Sequence, residues 1–452
     1  MVHAAVRAGR MAGATVPGRL WQRRLDLATT PGRLRLLLGG LVLLSLAWGG
    51  LAAFSVSHYA AAASSVVNVR EPLSLDAQQI YSRLSDANDA AATAFLTGGL
   101  EPAATRQRYL ADIAAASSAI ENVTARGGAG SGAAAQDLST LARDLPVYGG
   151  EIETARADNR LGLPLGAAYL REASALMRGT PQVRGMLGYA QDLYATENAS
   201  LSGTSAQATG LPLICVTAAA GLVVGCALYG GARWLRGRTN RVFNVGLLAA
   251  GAIAVLSVGW LSLAFAGVRG DLLNAQARGL ATVQAAAQVS IAAQEAHADE
   301  SLTLIDDTGD DTYQSDYAGK QHALGPGPGT LLNGATAAAR GTPAEPAVEK
   351  ATTDAQLWFA AHAKVRSLDD NNGHVAAVAS VLGTADGDAG QRFTLLSGDL
   401  TTAINSDQAV FNSTAHSAAG AYTGLAPGVA VAALIMAAAC AWGLGRRLAE
   451  YH

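Results

Sequence analysis

Four runs of apolar residues stand out along the chain: Leu36–Val56, Leu211–Tyr229, Phe243–Ala266 and Leu425–Gly445. None of them contains a charged residue. A helix needs about 20 apolar residues to cross the hydrocarbon core of a bilayer, so each run predicts a membrane span. Trp48, Tyr229, Trp260 and Trp442 lie in or near the runs. Pro212 and Pro427 fall in the first turn of their spans, where a missing N–H costs least.

The stretches between, 57–210 and 267–424, have a different rhythm. Their apolar residues recur at alternating steps of three and four, as in Val183, Leu187, Ala190, Tyr194 and Leu201, which gathers them on one helix face. Breaks fall at Gly98–Gly99, Gly127–Gly132 and Asn159–Pro164. The first stretch therefore predicts helices over 60–97, 103–126, 133–160 and 165–206, the last broken at Gly179-Thr180-Pro181. Four helices joined by short turns predict an antiparallel four-helix bundle. The second stretch has similar outer helices, but its second helix ends early at Gly325–Gly329, and a further break falls at Gly341–Pro346. The fold class is all-α, with four spans and two tandem bundles.

The two halves repeat. Ser85–Gly99 resembles Glu295–Gly309 at a shift of 210 residues, which pairs Asp89 with Asp299, Thr93 with Thr303 and Gly99 with Gly309. The same shift pairs Met186, Ala190, Tyr194, Glu197 and Leu201 with Leu396, Leu400, Ile404, Asp407 and Phe411. A looser match joins Arg156–Gly162 to Arg366–Gly373, and the spans repeat at shifts near 207 and 214. The first span could be a signal peptide with a cleavage region at Ala60–Ala63. Its length, and its pairing with a third span that cannot be cleaved, favour a retained anchor.

Composition agrees with the membrane reading. Half of the 452 residues are hydrophobic and only 15% are charged, against about a quarter in soluble domains. Charge also orients the chain. Arg7, Arg10, Arg19, Arg23, Arg24, Arg33 and Arg35 precede the first span. Arg233, Arg236, Arg238 and Arg241 lie between the second and third, and Arg446 and Arg447 follow the fourth. Segments 1–35, 230–242 and 446–452 are accordingly expected in the cytoplasm, with both termini, and the protein in the plasma membrane. Segments 57–210 and 267–424, net −4 and −10, are expected outside. Cys215, Cys226 and Cys440 all lie in apolar runs, so no disulfide framework is expected.

Catalytic motifs are missing: no nucleotide-binding glycine loop, HExxH or nucleophile elbow occurs. The chain reads as a non-enzyme without cofactor, metal or nucleic acid. His297 beside Asp299 and Glu300 reads as a solvated helix face rather than a metal site, and Asp306–Asp311 as a polar turn rather than a calcium loop. Glu197 and Asp407 interrupt an apolar stripe in both copies, either at an edge facing water or as a buried ligand or register contact. Arg156 and Asn159, with Arg366 and Asn371, are expected near the membrane-facing turns. The outer turns would hold Gly98–Arg108 and Asp306–Tyr317, where Arg106, Arg108 and Tyr109 offer a partner charge and an aromatic ring.

The cytoplasmic segments are too short for an output domain, and the spans lack the intramembrane charges that mark a transport path. Span, four-helix bundle, span is similar to the extracytoplasmic half of bacterial chemoreceptors and sensor kinases. Two such units in tandem, with the paired segments around Asp89/Asp299 and Asn159/Asn371, resemble the actinobacterial GlnX-type membrane proteins. An Arg-rich, Lys-poor composition fits such a source. The resemblance implies a transducer of amino-acid availability (glutamate, aspartate or glutamine). A GlnH-like solute-binding lipoprotein would dock outside and a PknG-like cytosolic Ser/Thr kinase would receive the signal. Output would then pass through Arg233, Arg236, Arg238 and Arg241. An accessory subunit of an envelope or transport complex, and a receptor binding its ligand directly, remain the alternatives, and homo-oligomerisation is left open.

Overall fold

The computed structural model describes residues 30–128, 132–239, 244–306 and 311–449. Fifteen α-helices make up the described residues: α1 Thr30–Ser65, α2 Glu71–Leu96, α3 Ala103–Ala125, α4 Ala133–Arg160, α5 Leu165–Arg178, α6 Met186–Thr209, α7 Pro212–Thr239, α8 Val245–Ala275, α9 Ala281–Ile305, α10 Thr312–Leu324, α11 Leu331–Ala339, α12 Glu345–Asp370, α13 His374–Leu382, α14 Ala389–Gly420 and α15 Leu425–Ala449. No strand occurs among them; a lone antiparallel bridge joins Gly179 to Arg184. Four helical stretches are long and apolar enough to cross a membrane. The chain divides into a membrane unit (Met1–Ser57, Leu211–Phe265, Gly424–His452) and a helical unit (His58–Gly210, Ala266–Thr423).

Small residues let the spans of the membrane unit approach closely, as apolar side chains alone give little reason to associate in lipid. A Cβ on Gly246 would meet Ala439 O at 2.5 Å and Gly443 Cα at 2.6 Å, so α8 and α15 touch backbone to backbone. Gly49 of α1 lies against Ala433 of α15, and Gly221 of α7 against Val258 of α8. Between α1 and α7 the contact is polar: Trp48 Nε1 donates to Thr217 O at 3.2 Å, and the Ser55 and Thr217 hydroxyls are 2.7 Å apart. The spans thus close a four-membered ring. Leu43, Phe54, Leu222, Val255, Leu263 and Leu434 remain exposed on the outside of the ring, as lipid-facing residues should.

The helical unit holds two bundles. In the first, α2, α3, α4 and the α5–α6 pair close around Ile80, Leu84, Leu141, Tyr148, Ile152 and Leu193. In the second, α9, the α10–α11 pair, α12 and the α13–α14 pair close around Val289, Tyr317, Trp358, Phe393, Leu396 and Leu400. The fourth helix of the first bundle breaks at 179–185, as the Gly-Thr-Pro sequence predicts, and that of the second at 383–388. Gly179 supplies a φ of +91° in its break, a left-handed conformation that favours glycine, and a Cβ there would strike Gly185 N at 2.6 Å.

Each bundle opens with one π-helical turn, Val66–Arg70 and Gln276–Leu280, again 210 residues apart. In both, the N–H just after the turn donates five residues back, Glu71 to Val66 O and Ala281 to Gln276 O. Only Glu71 separates the first wide turn from Pro72, which has no N–H to continue the ladder. The second carries Gly279, where a Cβ would meet the Phe411 side chain at 2.8 Å.

The chain ends of this unit gather at one end, where Tyr59 donates to Gly210 O at 2.8 Å and Arg269 to Thr209 O at 2.9 Å. Arg156 and Asn159 correct their expected place near the membrane-facing turn. Arg156 pairs with Glu101 and Asn159 donates to Phe95 O at 3.1 Å, beside the Gly98–Gly99 turn at the opposite end. The error follows from counting: the third helix runs away from the chain ends, so its C-terminus lies far from them. Arg366 pairs with Asp369 and Asp370, and Asn371 bonds Ser367 O, at the corresponding end of α12.

Candidate functional site

The two bundles meet along α2 and α9, which run parallel and in register. Tyr81 donates to Glu295 at 3.3 Å, Asp89 meets His297, and Thr93 meets Ser301 at 3.4 Å. All nine residues from Leu84 to Ala92 are buried, as are all seven from Ala296 to Leu302. A helix buried on every side is ordinarily apolar all round. These two instead carry Ser85, Asp86, Asn88, Asp89, His297, Asp299 and Glu300 into the interior, so each charge needs a partner there. Alanine between them leaves the room for those partners.

Asp89 is fully buried. Arg108 of α3 donates to its Oδ2 at 3.0 Å, and His297 Nδ1 of the other repeat lies 2.5 Å from its Oδ1. The His297 ring stacks on Phe393 with centroids 3.9 Å apart. Burial alone would raise the Asp89 carboxyl, but His297 and Arg108 outweigh it and hold it below the usual carboxylate value. Burial would lower His297, and Asp89 and Glu300 outweigh that, so the imidazole is raised.

Asp299, the repeat partner of Asp89, is also fully buried. Lys320 of α10 lies 2.7 Å from Oδ2 and Arg178 of α5, from the other repeat, 2.5 Å from Oδ1. Burial still dominates and pushes this carboxyl up to about 6, against the pull of Arg178 and Lys320. Asp86 is raised further, to about 7, by burial and by Asp112, with Arg108 and Arg83 opposing. Glu300 accepts from Trp358 Nε1 at 3.2 Å and lies 2.8 Å from His362 Nδ1, while Tyr317 stacks on that histidine at 3.5 Å. Ala90 occupies the equivalent place in the first repeat, so this cluster belongs to the second alone.

Two clefts flank the α2–α9 pair. One, about 490 Å³, lies between α2, α3, α9 and α14 and reaches Arg83, Asp86, Arg108 and Asp112. The other, about 670 Å³, lies between α5, α6, α9 and α10 and reaches Arg171, Arg178, Asp306, Asp316 and Lys320. A chamber of about 270 Å³ adjoins the larger cleft through Tyr81, Gln191 and Glu295. Both clefts fall within the size range of small-molecule sites.

The sequence-derived candidates are dispersed. Arg108 pairs with Asp86 and Asp89 while 43% of its side chain stays exposed, Tyr109 is only 3% exposed, and Arg106 pairs with Glu153 at 2.7 Å, so the three do not act together as one patch of charge and aromatic ring. Glu197 and Asp407 are 3% and 0% exposed, which rules out a stripe edge facing water. Asp407 accepts the Ala344 N–H at 3.1 Å and pins the turn that starts α12. His297 is buried too, not part of a solvated face. Arg233 and Arg236 are exposed on α7; the Arg238 side chain, Arg241, residues 307–310 of the acidic turn and the tail arginines before residue 30 lie outside the described residues. Among the described residues no group of three or more His, Cys, Asp or Glu is placed to hold a metal ion, and all three cysteines are free.

Sequence reasoning missed the core itself. HADES reads as a solvated face, and SDAND is legible only as its partner in the repeat. The available signal was polar residues at the same places in two Ala-rich helices, a composition that suits close helix approach.

No curated protein matches the chain. Residues 62–206, which run from the end of α1 almost to the end of α6 and contain Asp89, Arg108 and Arg178, match the family model of the actinobacterial sensor domain.

Proposed function

We propose that this chain is a non-enzymatic transmembrane signal transducer that relays extracytoplasmic amino-acid availability to a cytosolic Ser/Thr kinase through a solute-binding lipoprotein. The observation that carries the sensing role is the sensor-domain match over residues 62–206, the repeat whose buried Asp89 is held by His297 of the second repeat. A change in one bundle must therefore be felt in the other. Packed helices move as rigid bodies, and small shifts between them suit a relay.

Flanking arginines favour an orientation with the helical unit outside and both termini in the cytoplasm. The lipoprotein, GlnH-like by resemblance, would then dock on the helical unit. The kinase, PknG-like by resemblance, would read the segment that includes Arg233, Arg236, Arg238 and Arg241. Co-purification of the full chain in detergent with such a binding protein, with and without glutamate, aspartate or glutamine, tests the relay. Amino-acid-dependent retention is expected; absence of retention in every state overturns it.

A further inference from the structure

We propose that the larger inter-repeat cleft, between α5, α6, α9 and α10, is a direct binding site for a free α-amino acid. The inference rests on the sensing role but needs no binding protein, so it stands or falls apart from the relay.

Charge on the walls selects the ligand class. Arg171, Arg178 and Lys320 face Glu295, Asp306 and Asp316, so both signs alternate across one cavity. Arg171 lies 3.3 Å from Asp306, Arg178 2.5 Å from Asp316 and Lys320 3.8 Å from Glu295. A simple anion or cation entering here would satisfy one wall and strand the other. A zwitterion exchanges existing bridges for new ones on both sides, with its carboxylate on the arginines and its ammonium on Asp316 and Glu295. Arg171 and Asp316 keep 36% and 46% of their side chains exposed, so those bridges are open to exchange.

Two further observations point to an occupant. Ser174, only 2% exposed, lines the cleft with a hydroxyl that has no hydrogen-bond partner. The adjoining chamber presents Gln78, Gln191, Gln284 and Gln288 with the Tyr81 and Tyr194 rings, a lining suited to a polar side chain of modest length. The opposite cleft differs: its charges all lie on α2 and α3, where Arg83 pairs with Asp112 and Arg108 with Asp86, and its α14 wall offers the uncharged Ser397, Thr401 and Asn405. Neither its α9 wall nor its α14 wall carries a charge.

Binding to the purified full-length chain in lipid nanodiscs, without any partner, tests the site. Glutamine, glutamate and aspartate serve as probes in thermal-shift and calorimetric titrations, alongside N-acetylglutamine and glutamine methyl ester. At least one free amino acid is expected to raise the melting temperature. The acetylated and esterified forms, each missing one charge, should bind at least tenfold more weakly. Asp316→Asn and Arg171→Ala should weaken binding by a similar factor, while Asn405→Ala in the opposite cleft should not. Circular dichroism checks that each variant is folded, and the half-exposed Asp316 position keeps the test valid if Arg171→Ala is not. No shift with any of the three amino acids, or equal binding of the blocked forms, overturns the proposal.

Discussion

Asp89 and Asp299 stand 210 residues apart, at equivalent places on the first helix of each repeat, and each is fully buried between one cation of its own repeat and one of the other. Arg108 and His297 hold the first; Lys320 and Arg178 hold the second. Removing one member of a buried pair strands the rest, at a cost of about 3–5 kcal/mol. Asp89→Ala is therefore expected to destabilise the helical unit by about that amount in denaturant unfolding of the full chain. A double-mutant cycle of Asp89→Asn with His297→Gln should give a coupling of at least about 1 kcal/mol. Additive single effects would mean that the pair contributes nothing of its own.

Acidity gives a second test. Asp86 is raised from 3.8 to about 7 in the folded chain, chiefly by burial. A carboxyl raised on folding contributes stability that is fully present below its unfolded value and is lost as pH rises through the folded value. Asp86→Asn, which cannot ionise, should thus be more stable than the parent at pH 8 by about 1–3 kcal/mol relative to their difference at pH 5. The Asp89–His297 pair runs differently. Asp89, lowered, contributes above the usual carboxylate range and loses its contribution as pH falls; His297, raised, contributes below about 6.5 and loses it as pH rises through its folded value. Melting curves of parent and Asp86→Asn between pH 4 and 9 separate the two contributions.

Trp358 is fully buried and donates to Glu300. Trp358→Ala should cost about 3–5 kcal/mol through the cavity left behind. Trp358→Phe refills much of that volume but removes the donor, for a cost of about 1–3 kcal/mol. Equal stability of the Phe variant and the parent would show that His362 alone satisfies the acid.

In the membrane unit, Gly246 and Gly443 touch backbone to backbone, whereas a Cβ on Gly251 of the same helix α8 would meet nothing within 4 Å. Gly443→Leu should destabilise the span bundle by about 1–3 kcal/mol, and Gly251→Leu should be near neutral. Unfolding in mixed detergent measures both. If the two substitutions cost the same, the close approach of α8 and α15 has no energetic weight.

Spans, helices and breaks were legible because each rests on local chemistry: apolar length, helical periodicity, or a Gly-Thr-Pro interruption. The pairing of Asp89 with Asp299 was legible from the repeat, although its meaning was not. Whether a carboxylate in an Ala-rich helix faces water or another helix depends on which elements flank it, and α2 and α9 are distant in sequence. The pairing of Arg108 with Asp86 and Asp89, the burial of Tyr109 and the end of the bundle that holds Asn159 all depend on that same arrangement in space.

The exchange of cations between the repeats means that neither repeat is a thermodynamic domain. Expressed alone, the first half would leave Asp89 without its imidazole and uncovered by α9, and the second would leave Asp299 without its guanidinium. A chain severed between α7 and α8 should instead recover both carboxylates' partners when the two halves are made together. The intact molecule is in this sense a dimer written as a single polypeptide.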